Sequence, residues 1–335
     1  MKNKSIVVTS INQPTKALIE TASKSLDHDF NFIVIGDSKS PENFQLENCD
    51  FYSLEKQLKL EFKYAQACPV KHYARKNIGY LLSMQNGASI IVETDDDNIP
   101  IATFWEERKD KFVAPCLINK GWVNAYKYFT DVNIWPRGFL LNKIHEPIVP
   151  YEELPQEECY CPIQQGLADL NPDVDAIYRL VLPLPISFRQ DREIVFSQGS
   201  WCPFNSQNTT WFPSAYPLLY LPYYCSFRMT DIWRSFVAQR IAWENNWSIL
   251  FHKSTVYQER NKHDLMKDFE DEVVGYLSNE KICSELMELS LKSGVENIPH
   301  NLIVCYKKLI NIGVVGMEEL KLLDFWLEDI SQLAI

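Results

Sequence analysis

A chain of 335 residues, 46% of them hydrophobic, carries enough apolar material for a sizeable core, in two domains or one large domain with an appendage. Its net charge of −11 excludes a non-specific nucleic-acid binder, which needs a basic face to displace counterions, and leaves anionic phosphates to be bridged by a metal or a few local cations. Nine cysteines without a CxxC pair exclude a zinc-ligand pattern and a disulfide scaffold, so reduced thiols and a cytoplasmic setting are expected. The first apolar run, Ile6 to Val8, is too short for a signal peptide, and no window approaches the ~18 apolar residues of a transmembrane segment.

In chain order, SIVVTSI (5–11) reads as a buried strand and PTKALIETASKSL (14–26) as a helix with Pro14 in its first turn. FNFIVIGD (30–37) is a second strand. YARKNIGYLLSMQNG (73–87) is a helix with Ile78, Leu81, Leu82 and Gln85 in register and Gly87 as its stop. SIIVETDDD (89–97) follows as a third strand. Strands alternating with helices predict an α/β layer with a mostly parallel sheet, whose ligand crevice lies beyond the carboxyl ends of the strands. Asp37 and Asp95 to Asp97 fall at such ends.

The middle of the chain, about 100–225, is rich in proline and aromatic residues, which excludes long helices. Short strands and ordered loops covering the crevice are expected there. DIWRSFVAQRIAWENN (231–246) is again helical, WSILFHKSTVYQERN (247–261) is a strand and loop, and 262–335 is helical with breaks near 293–301 and 311–316. The expected division is a catalytic unit over 1–260 and a helical C-terminal appendage over 261–335, used for packing or homo-oligomerisation.

Three consecutive aspartates at a strand end repel one another and call for a counter-charge or raised pKa values. A divalent cation supplies the counter-charge, and hard oxygen ligands suit magnesium or manganese completed by water and substrate phosphates. On an extended backbone Asp95 and Asp97 point one way and Asp96 the other, so the first pair can hold metal while Asp96 meets a ribose hydroxyl or an amide. Arg75 and Lys76, at the start of the preceding helix, can pair with a diphosphate or hold the aspartates. The amides of Asn205, Gln207 and Asn208, beside Trp201, Trp211 and Phe212, suit sugar hydroxyls and ring stacking; Gln164 and Gln165 are weaker candidates of the same kind.

The blocks RKNIGYLLSMQNGASIIVETDDDNIP, IWPRGF, PIQQGLADLNPDVDAIYRL, PFNSQNTTWF, DIWRSFVAQRIAW and VYQERNKHDLMKDFEDE, in this order over roughly residues 5–275, resemble successive motifs of the STELLO family. A more distant resemblance is to the reversibly glycosylated polypeptides, the UDP-arabinopyranose mutases. Residues 276–335 match neither family well. Both resemblances imply a GT-A-like, Rossmann-related fold, and the first implies a metal-dependent glycosyltransferase with a nucleotide-sugar donor, expected to be UDP-linked, and a glycan or lipid-linked glycan acceptor. They further imply a nucleoside contact at Asp37, a later histidine completing the Mn2+ or Mg2+ shell (His252, with His263 as rival), and an acid, Asp231, acting as base toward the acceptor hydroxyl. Asp231 also reads as a simple helix cap. Arg137 matches the arginine that the mutases glycosylate; it is expected either to carry a sugar or to clamp the leaving diphosphate. The alternatives are therefore a mutase or self-glycosylating protein using Arg137, and a non-catalytic scaffold.

Overall fold

The computed structural model describes residues 3–261 and 264–333. Its first strands are β1 (Lys4–Thr9), β2 (Phe30–Ile35), β3 (Asp50–Tyr52) and β4 (Ile90–Thr94), with helices α1 (Lys16–Ser25), α2 (Leu54–Leu58), α3 (Lys63–Ala67) and α4 (Lys76–Gln85) between them. β1, β2 and β4 are almost continuously apolar because both faces are covered, as parallel sheets require. Val7, Ile33 and Ile91 meet Ile78 and Leu81 of α4 on one face; Ile6, Val8, Val34 and Val92 meet Leu18 and Ala22 of α1 on the other. Thr15, not Pro14, opens α1: its side chain accepts from the Leu18 amide. α4 stops where Gly87 takes a φ of 71°.

The remaining strands are β5 (Asn98–Pro100), β6 (Lys111–Leu117), β7 (Gly121–Trp122), β8 (Gln156–Tyr160), β9 (Ile163–Asp169), β10 (Glu193–Phe196), β11 (Ser200–Trp201), β12 (Asn208–Trp211) and β13 (Ile249–Gln258). Among the described residues one large sheet runs β3-β2-β1-β4-β12-β9-β13-β10-β6-β8, with β5 on the end of β13 and β7 paired with β11 apart from it. The β3-β2-β1-β4 half is parallel, and β12 enters antiparallel between β4 and β9. This is the expected α/β layer: a parallel half continued by a mixed half in which β9 and β13, and β6 and β10, pair parallel. The proline-rich middle segment does more than cover the crevice, since it supplies β6, β8, β9, β10 and β12 of the sheet.

The C-terminal helices are α6 (Thr230–Glu244), α7 (Leu265–Met287), α8 (Ile298–Asn311) and α9 (Glu319–Ser331), preceded by the short α5 (Ala176–Val181). The breaks around 293–301 and 311–316 fall at or beside the ends of these helices. The boundary at 260/261 does not separate two cores. One hydrophobic cluster runs from Val7 through Trp233 to Trp326. Asp329 accepts the Lys63 and Tyr64 amides at 3.0 and 2.8 Å, satisfying the open N-terminus of α3. Glu319 is fully buried and accepts the Tyr223 and Tyr224 amides and the Tyr220 hydroxyl. No helix among the described residues is long and apolar enough to cross a membrane.

Candidate active site

At the carboxyl edge of β1, β2 and β4 lies a cavity of about 620 Å³, lined by Ser10, Asn12, Asp37, Asp95, Asp96 and Asp97 from one side and by Arg137, Asp173, Ser206 and Asp231 from the other. Strand β4 ends at Thr94, so the three aspartates do not continue the strand. They form a turn into β5, closed by the Asn98 amide on the Asp95 carbonyl. The alternation expected of an extended run therefore does not set their directions; individual partners do. Asp96 accepts the Ser10 hydroxyl at 2.5 Å and the Asn12 amide at 2.9 Å, which holds it against the end of β1. Asp97 accepts Gln258 Nε2 at 3.0 Å and the Asn261 amide at 3.2 Å, which ties the turn to the end of β13.

Asp95 rests on Lys76. The lysine is wholly buried and spends its ammonium on the Thr94 carbonyl (2.9 Å), Asp95 Oδ1 (3.0 Å) and the Ser206 carbonyl (3.4 Å). Burial raises the Asp95 carboxyl to about 6, against the pull of Lys76 and with added repulsion from Asp97. Lys76 is thus a fixed counter-charge beneath the turn and does not line the cavity. Below it, Glu93 is also buried and meets Arg234 at 2.7 Å and the Trp211 indole at 2.8 Å. Two buried lysine and arginine charges therefore underlie an acidic strand end.

Arg137 occupies the opposite wall. It donates Nε and Nη2 to Asp173, both at 2.8 Å, Nη1 and Nη2 to the two oxygens of Asp231, both at 3.0 Å, and Nη1 also to the Arg228 carbonyl. All five N–H groups are engaged. Burial opposes its charge, but Asp173 and Asp231 prevail and hold the guanidinium well above its ordinary pKa. The Arg-Gly pair has a local cause: Gly138 sits at φ 86°, and a Cβ there would lie 2.4 Å from Ile232 of α6. Close approach of the two segments brings Arg137 onto Asp231.

Asp231 accepts from Arg137, from the Ser206 amide (3.0 Å) and hydroxyl (3.3 Å) and from the Tyr73 hydroxyl (3.1 Å). Burial works to raise its pKa, but Arg137 and the Ser206 amide outweigh it and hold the carboxyl well below the usual range. A base needs a pKa near the working pH. Both oxygens of Asp231 are engaged, and in this geometry it clamps α6, Arg137 and the Ser206 turn together. Neither is it the helix cap: α6 begins at Thr230, and Asp231 lies within its first turn.

Asp37 lines the cavity as expected, but its oxygens accept the Ser38 and His72 amides and so shape the loops around it. Arg75 reaches the cavity wall while donating to Gln57 and to the Cys68 and Pro69 carbonyls, a largely structural task. Asn205 and Asn208 are not lining residues. Asn205 accepts the Gln207 amide in its own turn, and Asn208 ties Leu167 to Thr255 across β9 and β13. Of that amide cluster Gln207 reaches the cavity. Trp201 and Trp211 are buried in the core.

His252 is not brought to the aspartates. It lies six residues before Gln258 on β13, roughly 20 Å along the strand at ~3.3 Å per residue. There it lines a different cavity. Burial first, then the charge of Arg108, lowers its pKa to about 4. The rival His263 lies outside the described residues. No cluster of three metal-ligating His, Cys, Asp or Glu side chains occurs among the described residues.

Sequence reasoning missed Ser10 and Asn12, the partners of Asp96, and also His72, Tyr73, Asp173 and Gln258. Asp173 carried a signal, since it stands in the NPDVDA block whose pattern stood out. Ser10 and Asn12 carried only their place one turn past a buried strand.

An acidic turn at the carboxyl edge of a parallel half-sheet, faced by an arginine–carboxylate clamp, defines an α/β protein with a ligand cavity at its strand ends. Residues 228–335 match the family model of the STELLO glycosyltransferases. Two Arabidopsis thaliana proteins, named as the probable glycosyltransferases STELLO2 and STELLO1, are 28% identical over 282 residues and 27% identical over 290; each alignment covers 76% of this chain and 35% of the relative. By these matches the chain is similar to the two STELLO proteins over most of its own length, and it spans about a third of the curated relatives it matches. The family match includes α7, α8 and α9, which corrects the expectation that 276–335 stand outside it. Among solved structures, a mycobacterial protein aligns with a TM-score of 0.41 at 11% identity, covering 83% of this chain and 74% of its own. Staphylococcus aureus TarS 1–349 in complex with UDP aligns at 0.31 and 14%, covering 97% and 87%.

Proposed function

We propose that this chain is a glycosyltransferase that takes a sugar from a nucleotide sugar, UDP-linked, and passes it to a glycan or lipid-linked glycan. The observation that carries the reading is the Asp95–Asp97 turn at the carboxyl ends of a parallel half-sheet, beside Asp37 and inside a cavity of ligand size. The family similarity supports sugar transfer.

The donor set fits a divalent cation completed by substrate. Among the described residues Asp95 has one oxygen on Lys76 and no hydrogen-bond partner for the other, and Asp97 keeps spare lone pairs on both of its oxygens. Two carboxylates without a third protein ligand suit manganese or magnesium, which take phosphate and water for the rest of the shell. When bound, the cation neutralises charge on the leaving diphosphate. Lys76 fixes the position of Asp95 and limits its repulsion from Asp97. Ser10 and Asn12 hold Asp96 at the β1 end, where its backbone carbonyl also takes the Thr15 hydroxyl. The Arg137–Asp231 clamp holds Ser206 against the cavity from the far side.

A self-glycosylating role for Arg137 is disfavoured by the same geometry. A nucleophilic guanidinium must lose a proton, and this one donates all five N–H groups and is held protonated by two carboxylates. A non-catalytic scaffold has no use for a repulsive acidic turn placed over a buried lysine.

Calorimetry with UDP, with and without manganese, tests the proposal. Binding should require the metal, and Asp97→Asn should abolish that requirement or the binding itself. UDP affinity that is equal with and without metal in the wild type would overturn the metal assignment. A stoichiometric sugar adduct on Arg137 after incubation with UDP-sugars would reinstate the mutase reading.

A further inference from the structure

A second cavity, of about 540 Å³, opens among β6, β10 and the first half of β13, and shares no lining residue with the first. Two polar residues that the acidic site left unused, His252 and Gln164, line it. So does Arg108, whose hydrogen-bond partners are all neutral. Its Nε donates to Thr210 Oγ1 at 3.0 Å, Nη2 to the Phe104 carbonyl at 2.7 Å, and Nη1 weakly to the Glu106 carbonyl at 3.4 Å. The guanidinium also lies over the Phe104 and Phe30 rings, 5.1 and 5.8 Å from their centres. Arg137, Arg228, Arg234 and Arg240 each meet a carboxylate; among the described residues Arg108, like Arg75 and Arg179, meets none within 4.0 Å, and of these three only Arg108 lines this cavity.

Arg108 is half-buried, and a partly desolvated cation held only by neutral oxygens is stabilised when an anion joins it. Burial lowers Arg108 to about 10, with Glu106 pulling weakly the other way, so the group remains charged at neutral pH. One N–H on each Nη is left over, and this planar pair is the fork that grips carboxylate or phosphate. The surroundings suit a polyol more than a bare ion. Gln164 spends its Nε2 on the Lys109 and Cys161 carbonyls and Gln190 spends its own on Phe188, which leaves both carboxamide oxygens as acceptors. Phe112, Leu250 and Tyr151 supply apolar wall, and the volume is that of a small-molecule site.

We propose that this second cavity binds an oxyanion-bearing sugar, either a sugar acid or a sugar phosphate, with the anion on Arg108 and hydroxyls on Gln164 and Gln190. The site is separate from the nucleotide cavity, and β12 lies between them: Thr210 holds Arg108, while Gln207, just before the strand, lines the first cavity.

The test is calorimetric titration with D-glucuronate, glucose 6-phosphate, D-glucose and inorganic phosphate at constant ionic strength. Glucuronate or glucose 6-phosphate should bind at least tenfold more tightly than glucose and phosphate, and whichever binds identifies the source of the anion. Arg108→Gln should weaken that binding at least tenfold, and Asp97→Asn should leave it unchanged. Gln190→Ala, at an exposed position, should weaken the sugar ligand severalfold without altering phosphate binding, and it decides the matter if Arg108→Gln does not fold. No binding by either sugar anion, phosphate binding as tightly as both, loss of binding in Asp97→Asn, or unchanged affinity in Arg108→Gln or Gln190→Ala would each overturn the proposal.

Discussion

Replacing Asp231 by asparagine separates a clamp from a catalytic base. The carboxylate takes two charge-assisted bonds from Arg137, each 3.0 Å, and two contacts from Ser206 at 3.0 and 3.3 Å. Asparagine keeps one acceptor oxygen but turns an NH2 toward donors, either Arg137 or Ser206. Hydrogen bonds to charged groups contribute about 1.5–3 kcal/mol each, and breaking a buried ion pair on one side costs about 3–5 kcal/mol. Because Arg137 retains Asp173, the expected loss is near the lower end, about 3 kcal/mol. Urea unfolding of wild type and Asp231→Asn reads it directly. The folded carboxyl titrates below its ordinary value, so its contribution is fully present above about pH 4 and fades only as the pH falls through the folded pKa. The stability gap should therefore be constant from pH 6 to 8. A variant as stable as wild type whose transfer rate falls a hundredfold or more would refute the clamp and restore the base.

Glu319 predicts the opposite pH trend. Burial raises it from 4.5 to about 7, against the pull of Tyr220 and the Tyr223 and Tyr224 amides. The folded state then holds the proton more tightly, and stability should fall as pH rises from 4.5 through 7, by about 3.5 kcal/mol at most at ~1.4 kcal/mol per pH unit. Glu319→Gln should flatten that slope in unfolding experiments at pH 5 and 8; identical slopes would reject the assignment. A chain ending at residue 287 loses α8, α9, the Asp329 contacts to α3 and Trp326 from the common core, so it should show no cooperative thermal transition and weak near-ultraviolet dichroism. A folded, monodisperse truncation would show the tail to be a true appendage.

The sequence by itself determined the elements whose cause is local. Apolar runs with helical stretches between them named β1, β2, β4, α1 and α4, the amphipathic tail broke near its glycines and Pro299, and a carboxylate run after a buried strand located the crevice. What each polar residue does there was decided by tertiary structure. Asp231 reads alike as cap, base or clamp until Arg137, 94 positions away, and Ser206, 25 away, close on it. His252 reads as a metal ligand until the length of β13 carries it roughly 20 Å from Gln258. Arg108 gives no sign in the sequence, because its significance is the carboxylate it fails to meet. Local propensity follows from side chains a few residues apart. The charge state and role of a buried polar group follow from partners that only folding brings within about 3 Å.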